Sequence, residues 1–383
     1  MGRSNGAPEQ IDDFQRQIAA GMTRAFNASA TEELELDLNS ARLIIFSDLH
    51  KGAGGGADDF LRSAAAYQAA LAYYLEEGYT LVTLGDVEEL WKFTPQEVIT
   101  AYSELLELEA EFHRQGRYLR FWGNHDDLWR HPDAVTKLLG GFYPGIKIRE
   151  ALKLRITNDG QELGLMFLVH GHQGTTESDK FGWFSKRIVR YFWRPLQRKF
   201  GFSATTPATD WNLRHRHEEA MFHWASAQPA KPLMIAGHTH RPVFGTSKPP
   251  KPPLRPIAEI ERELEAARAS GDRDGVATLR AELEWTEVVQ LRIAPPVPIQ
   301  PPCYFNTGCC CFPDGDVTGL ELAEGEIRLV RWPTDDERPA AKVLVRDDVR
   351  EVLGAIHGSG SSARSHQSVL PARDSSQATR STI

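Results

Sequence analysis

The sequence has no apolar run approaching the roughly 18 residues that a membrane span needs, no excess of basic residues, and little cysteine. The first absence argues against an integral membrane protein. A net charge of −8 gives no strong nucleic-acid signal and disfavours a general nucleic-acid binder. The opening stretch Met1-Gly2-Arg3-Ser4-Asn5-Gly6 lacks the apolar core of a signal peptide, which makes the cytoplasm the expected compartment. Of the four cysteines, Cys303, Cys309, Cys310 and Cys311, three are consecutive. That run has neither C-x-x-C zinc spacing nor an evident disulfide framework, and it reads as a buried reduced cluster. With 41% hydrophobic and 25% charged residues, the composition is that of a soluble globular protein. A chain of 383 residues suffices for one large domain with insertions, or for two domains.

What the sequence does have is a series of short apolar runs that end in metal- or proton-competent residues. Leu43-Ile44-Ile45-Phe46 reads as a buried strand and leads into Asp48-Leu49-His50. Residues i and i+2 share one face of a strand, so a continued strand would aim both side chains into one crevice. Thr80 to Leu84 ends in Gly85-Asp86, and Tyr118 to Trp122 ends in Gly123-Asn124-His125-Asp126. Leu165 to Val169 ends in His170-Gly171-His172, and Leu233 to Ala236 in Gly237-His238-Thr239-His240. Helical patterns over 58–77 and 95–115 separate the first three strands, which predicts right-handed parallel units whose ligands lie beyond the carboxyl ends of the strands. Taken alone, Asp48 and His50 read more readily as a capping carboxylate and a surface imidazole than as ligands. Five such endings in one chain point to a shared site. A mixed oxygen and imidazole donor set suits manganese, iron or zinc, and the lack of thiolate in these clusters argues against a structural zinc site.

In identity and order, Asp48-x-His50, Gly85-Asp86, Gly123-Asn124-His125-Asp126, His170-Gly171 and Gly237-His238-x-His240 resemble the five motifs of the calcineurin-like metallophosphoesterases. The resemblance implies an α/β fold, a four-layer α/β/β/α sandwich with helical insertions, and two divalent metal ions between the sheets, with manganese favoured over iron or zinc. It makes Asp48, His50 and His240 ligands of one ion and Asn124, His170 and His238 ligands of the other. Asp86 would bridge both, and a bridging hydroxide would attack phosphorus. His125 would stand beside the scissile group, oriented by Asp126.

Substrate choice should lie between the motifs. Lys180 to Phe200 carries seven basic residues, Arg187, Arg190 and Arg194 among them, and no acidic one, interleaved with Phe181, Trp183, Tyr191, Phe192 and Trp193. It is a basic amphipathic helix with three readings: an ordinary packed helix, a cap that offers Arg to phosphate, or a peripheral membrane contact. The layout, with Gly237-His238-Thr239-His240-Arg241-Pro242 after the insertion, resembles the UDP-2,3-diacylglucosamine diphosphatases, which cleave a pyrophosphate in a lipid-bearing nucleotide. It departs from them in having His125 where they carry Arg, and in a further insertion. His215, His217 and His223 read as hydrogen-bonded or solvated side chains rather than ligands, because His-x-His on a helix faces two directions.

The expected organisation is an N-terminal helical extension over 1–40 and a core over 41–245 and 303–335, with a helical cap-like insertion at 173–231. A Pro-rich linker and helical hairpin at 246–302 interrupt the core, and a disordered tail follows over 355–383. Strands near 304–308, 317–322 and 326–332 resemble the closing strands of the family's second sheet. The function expected is hydrolysis of a phosphodiester or pyrophosphate in a phosphate-ester substrate, with a lipid- or nucleotide-bearing one in view. A nuclease or cyclic-nucleotide phosphodiesterase, and a metal-retaining scaffold without turnover, are the alternatives.

Overall fold

A computed structural model describes residues 12–29, 32–174, 211–245, 257–272, 275–276, 279, 301–334 and 340–358. The apolar spacing near the N-terminus becomes α1 (Asp13–Ala28), started by a capping box between Asp12 and Gln15 and burying Ile18, Met22 and Ala25. Two strands follow, β1 (Glu33–Asp37) and β2 (Arg42–Phe46), then α2 (Ala64–Glu76) and β3 (Thr80–Leu84). The helical pattern expected over 95–115 divides into α3 (Pro95–Ala101) and α4 (Ser103–Arg114). Tyr102 leaves helical geometry between them, at φ −120°, and its phenol donates to Asp58 at 2.6 Å. Next come β4 (Tyr118–Phe121), α5 (Pro132–Leu139), β5 (Ile148–Arg149), β6 (Ala151–Asn158) and β7 (Gln161–Val169). Then come α6 (Trp211–Ala227), β8 (Leu233–Ala236), β9 (Pro242–Val243) and α7 (Ile257–Ser270). The chain closes with β10 (Tyr304–Thr307), β11 (Val317–Ala323), β12 (Glu326–Trp332), β13 (Lys342–Asp348) and α8 (Val349–Gly358).

These strands form two sheets, of order β13-β12-β11-β2-β3-β4-β5 and β1-β6-β7-β8-β10-β9. Strands β2 to β5 are parallel, as the strand-helix-strand order predicts, and β7, β8 and β10 are parallel in the other sheet. Side chains alternate across the pleat. Leu43, Ile45, Val82 and Leu84 therefore enter the core shared with the six-stranded sheet. Ile44, Phe46 and Leu81 turn the other way, onto Tyr67, Leu71, Leu105 and Phe112 of α2 and α4. Helices α1, α6 and α8 pack against the six-stranded sheet through Met22, Trp224, Leu353 and Ile356. The result is the α/β/β/α sandwich that the motifs imply.

Two expectations need correcting. The closing strands do not share one sheet. Strand β10 joins the six-stranded sheet beside β8, whereas β11 to β13 extend the seven-stranded sheet from β2. Residues 355–358, expected to belong to the tail, are part of α8, which runs to Gly358 and buries Val352, Leu353 and Ile356 at helical spacing. Arg187, Arg190 and Arg194, the basic stretch 180–200, the Pro-rich linker, most of the second helix of the hairpin and residues 359–383 lie outside the described residues. No helix among the described residues is long and apolar enough to cross a membrane.

A buried ion pair braces the loop that leaves β2. Lys51 Nζ pairs with Glu109 of α4, both fully buried, and Glu109 also accepts from the hydroxyls of Tyr67 at 3.0 Å and Tyr143 at 2.8 Å. Burial pushes the Glu109 carboxyl up, but Lys51 and Arg120 hold it below its ordinary value on balance. Removing one member of such a pair strands the other charge. Glu109→Ala should cost about 3–5 kcal/mol of stability in urea unfolding, whereas a loss under about 1 kcal/mol would mean that Lys51 finds water or another partner.

Candidate metal centre

All five apolar runs deliver their terminal residues to one place between the sheets. Strands β2, β3 and β4 bring Asp48, His50, Asp86, Asn124, His125 and Asp126 from one sheet, and β7 and β8 bring His170, His238 and His240 from the other. Asp48 and His50 do not arrive by continuing the strand. Both residues have left-handed backbone, with φ of 52° and 53°, as do Asp86, His238 and His240. The Asp48 and His50 amides instead donate across to the carbonyls of Gly85, at 3.1 Å, and Asp86, at 2.9 Å. Short polar residues tolerate this region best, and each still carries a strain of roughly 1–2 kcal/mol. Two glycines make room. A Cβ on Gly237 would sit 2.6 Å from Asp48 Oδ2, and one on Gly123 would collide with Asp86 Oδ1.

The carboxylates are held so that one oxygen of each is spoken for. Asp48 Oδ2 accepts from the Ser47 hydroxyl and, at 2.8 Å, from the His238 amide. Its Oδ1 faces His240 Nε2 at 3.3 Å and His170 Nε2 at 4.0 Å. Asp86 Oδ1 accepts the His125 amide at 2.8 Å, while Oδ2 lies 3.2 Å from His170 Nε2 and 3.9 Å from His50 Nε2. His170 Nδ1 is directed at the Leu84 carbonyl, 2.7 Å away, which turns Nε2 toward the carboxylates. His50 and His240 face each other Nε2 to Nε2 at 3.1 Å.

This arrangement fits divalent cations. Asp48 Oδ1, Asn124 Oδ1 and His170 Nε2 are buried and make no hydrogen bond among the described residues, and an ion is what such oxygens and ring nitrogens would otherwise need. His50, Asp86 and His125 form one group whose donor atoms lie within 4.8 Å of one another, and Asp86, His170 and His238 form another. The electrostatics agree. Burial pushes His240 and His170 down, yet the Asp48 and Asp86 carboxylates outweigh it and lift them to about 10 and about 9. Burial likewise works against ionised Asp86, and the imidazoles of His170 and His125 hold it well below the ordinary carboxylate range. The cluster thus attracts positive charge that protons or metal ions can supply.

His125 stands at the edge of this cluster, its ring stacked on Trp91 at 3.9 Å between centroids. Its expected partner is not the one found. The Asp126 carboxylate is taken up by backbone amides, of Gly123 at 2.6 Å, Asp86 at 3.3 Å and Val87 at 2.9 Å. It ties the loop after β4 to the loop after β3. Glu89 is the carboxylate on His125, with both oxygens 3.0 Å from Nδ1, and it also lies 3.4 Å from His50 Nδ1. Burial lowers His125 but Glu89 and Asp86 raise it on balance. The sequence signal for Glu89 is slight, the second of two glutamates that follow Asp86 at two and three positions.

Other residues brace the site from behind. Asn306 on β10 donates to the Gly237 carbonyl at 2.6 Å. Glu218 on α6 binds Arg241 and accepts from Thr239 at 2.9 Å. His217 meets the Gly171 carbonyl at 2.7 Å, His215 pairs with Glu219 at 3.1 Å, and His223 is exposed. All three therefore have the hydrogen-bonded or solvated roles their spacing suggests.

An α/β sandwich with carboxylates, an amide and imidazoles converging at its strand ends is a scaffold for divalent-metal hydrolysis. A family model described as calcineurin-like phosphoesterase matches residues 41–242, and the chain belongs to that family, whose class of activity is metal-dependent hydrolysis of phosphoric esters. A search of curated proteins finds no match.

Because Glu89 touches two rings of the site, Glu89→Ala should lower phosphoesterase turnover about 10–100-fold with an unchanged circular dichroism spectrum. Activity within twofold of the parent would show that neither imidazole depends on it.

Proposed function

We propose that this chain is a phosphodiesterase or pyrophosphatase working with two divalent ions. Asp48, His50 and His240 would hold one ion, Asn124, His170 and His238 the other, and Asp86 both. The observation that carries the proposal is the position of Asp86 Oδ2, 3.2 Å from His170 Nε2 and 3.9 Å from His50 Nε2, in a site where Asp48 Oδ1 and Asn124 Oδ1 are buried without a hydrogen bond among the described residues. Manganese suits this oxygen and nitrogen set, as iron and zinc do. Ions so held would polarise phosphoryl oxygens and lower the pKa of a water.

The chain's own groups do the remaining work. Glu89 fixes His125 through Nδ1, leaving Nε2 to donate to a phosphoryl oxygen or to protonate the leaving alkoxide. Trp91 covers one face of the ring and donates from its indole N–H to the Asn124 carbonyl at 2.8 Å. The acid and one metal-facing amide therefore share a support. Since Asp86 accepts the His125 amide, the same short loop sets the spacing between acid and metal pair. The resemblance to UDP-2,3-diacylglucosamine diphosphatases favours a pyrophosphate in a lipid-bearing nucleotide, met in the cytoplasm, with Arg187, Arg190 and Arg194 taking the phosphates and residues 180–200 touching the membrane surface.

Hydrolysis of bis-p-nitrophenyl phosphate tests this. Activity should vanish with a chelator and return with manganese, and His125→Ala should lower kcat about 10²–10⁴-fold while keeping both metal equivalents. Loss of both metals in that variant would remove the acid role, and a preference for p-nitrophenyl phosphate would remove the diester assignment.

A further inference from the structure

The mechanism above leaves unused the run Cys309-Cys310-Cys311, which lies against one half of the site. All four cysteines are free thiols. Beyond β10 the chain turns at Gly308, with φ 82°, and the three cysteines follow. The loop is anchored in two places: Cys310 N–H donates to the Asp48 carbonyl at 3.2 Å, and Thr318 N–H donates to the Cys309 carbonyl at 3.2 Å. Cys311 Sγ stands 3.9 Å from Nδ1 of His240. Cys311, His50 and His240 form a third group whose donor atoms lie within 4.8 Å of one another. Cys309 is buried two residues before Cys311 on the same loop, whereas Cys310 is turned away toward the Thr318 carbonyl.

His240 is thus held between two environments. Its Nε2 faces Asp48 and His50, and its Nδ1 faces sulfur. A metal-binding histidine normally gives its outer N–H to a carboxylate, carbonyl or water, and that contact fixes the tautomer and orients the ring. In this chain the outer contact is the Cys311 sulfur. One loop therefore touches two of the three groups assigned to the same ion, His240 through sulfur and Asp48 through the Cys310 amide.

We propose that Cys309 and Cys311 are a modification site, a thiol pair whose oxidation to a disulfide weakens cation binding at the Asp48, His50 and His240 half of the centre. The inference rests on the metal assignment of the preceding section. Residues two apart are separated by at most about 7 Å between Cα atoms, which falls within or at the limit of disulfide reach. The oxidant is a hydroperoxide. The half-exposed Cys311 sulfur attacks its terminal oxygen, giving a sulfenic acid and releasing water or an alcohol. The buried Cys309 thiol then displaces the sulfenic hydroxyl, forming the S–S bond and releasing water. Two thiols are oxidised and one peroxide bond is reduced. The disulfide takes the thiol away from His240 Nδ1 and tightens the loop behind Asp48, and loss of such an outer partner costs about 10–100-fold in metal affinity.

The test uses the full chain loaded with zinc, which has no redox chemistry of its own. Hydrogen peroxide should join Cys309 to Cys311, seen by peptide mass as the loss of two hydrogens. It should raise the dissociation constant of one zinc equivalent about 10–100-fold in chelator competition and leave the other in place, and dithiothreitol should reverse both changes. Cys311→Ser should keep its zinc affinity on peroxide treatment. A Cys309–Cys311 disulfide without a change in zinc affinity, no disulfide between these two, or equal zinc loss in Cys311→Ser would each overturn the proposal. His240→Ala measured in the reduced state separates the two levels: if it keeps both zinc ions at parental affinity, the metal assignment itself fails.

Discussion

Everything in this molecule bends around two buried carboxylates. Asp48 and Asp86 end adjacent parallel strands, and both are essentially inaccessible to water. An unpaired carboxylate moved out of water costs several kcal/mol at the least. One oxygen of each is satisfied by fixed donors, Ser47 and the His238 amide for Asp48 and the His125 amide for Asp86. The second oxygens face imidazoles from both sheets. That imbalance makes the site a cation trap, and the rest of the fold holds the two carboxylates in place against their mutual repulsion.

The holding structure is costly in its own right. Five non-glycine residues at the strand ends have left-handed backbone, Asp48, His50, Asp86, His238 and His240, and strain of this kind persists only where the surroundings over-determine it. They do so here on every side. Asp126 gathers three amides of the loops after β3 and β4, Asn306 fixes Gly237, and Glu218 fixes Arg241 and Thr239. The Lys51 and Glu109 pair extends the bracing into the helical layer. Stability and site geometry are linked in consequence, since the groups that shape the centre also join the two sheets and their helices.

The motif residues and the strands that carry them were legible in the sequence because each lies at the end of a continuous apolar run, a local signal. Which sheet each strand joins was less legible. Strand β10 belongs with β8 because of pairings made across some seventy residues of chain, and its sequence does not encode that partner locally. The side-chain direction of Asp48 and His50 came out of the pattern for the wrong reason: strand alternation would aim them together, but left-handed turns are what do so. Asp126 read as the orienting acid because the family resemblance carries that role onto it. Glu89 takes that part because the turn after β3 folds back under the ring, and no spacing rule describes such a turn.

On this reading the one cluster holds a pair of ions. Anomalous diffraction from crystals of the chain grown with manganese measures that most directly. Two peaks are expected about 3.5–4 Å apart, one beside Asp48, His50 and His240, the other beside Asn124, His170 and His238, with Asp86 between. A single peak, or manganese bound away from Asp86, would contradict it.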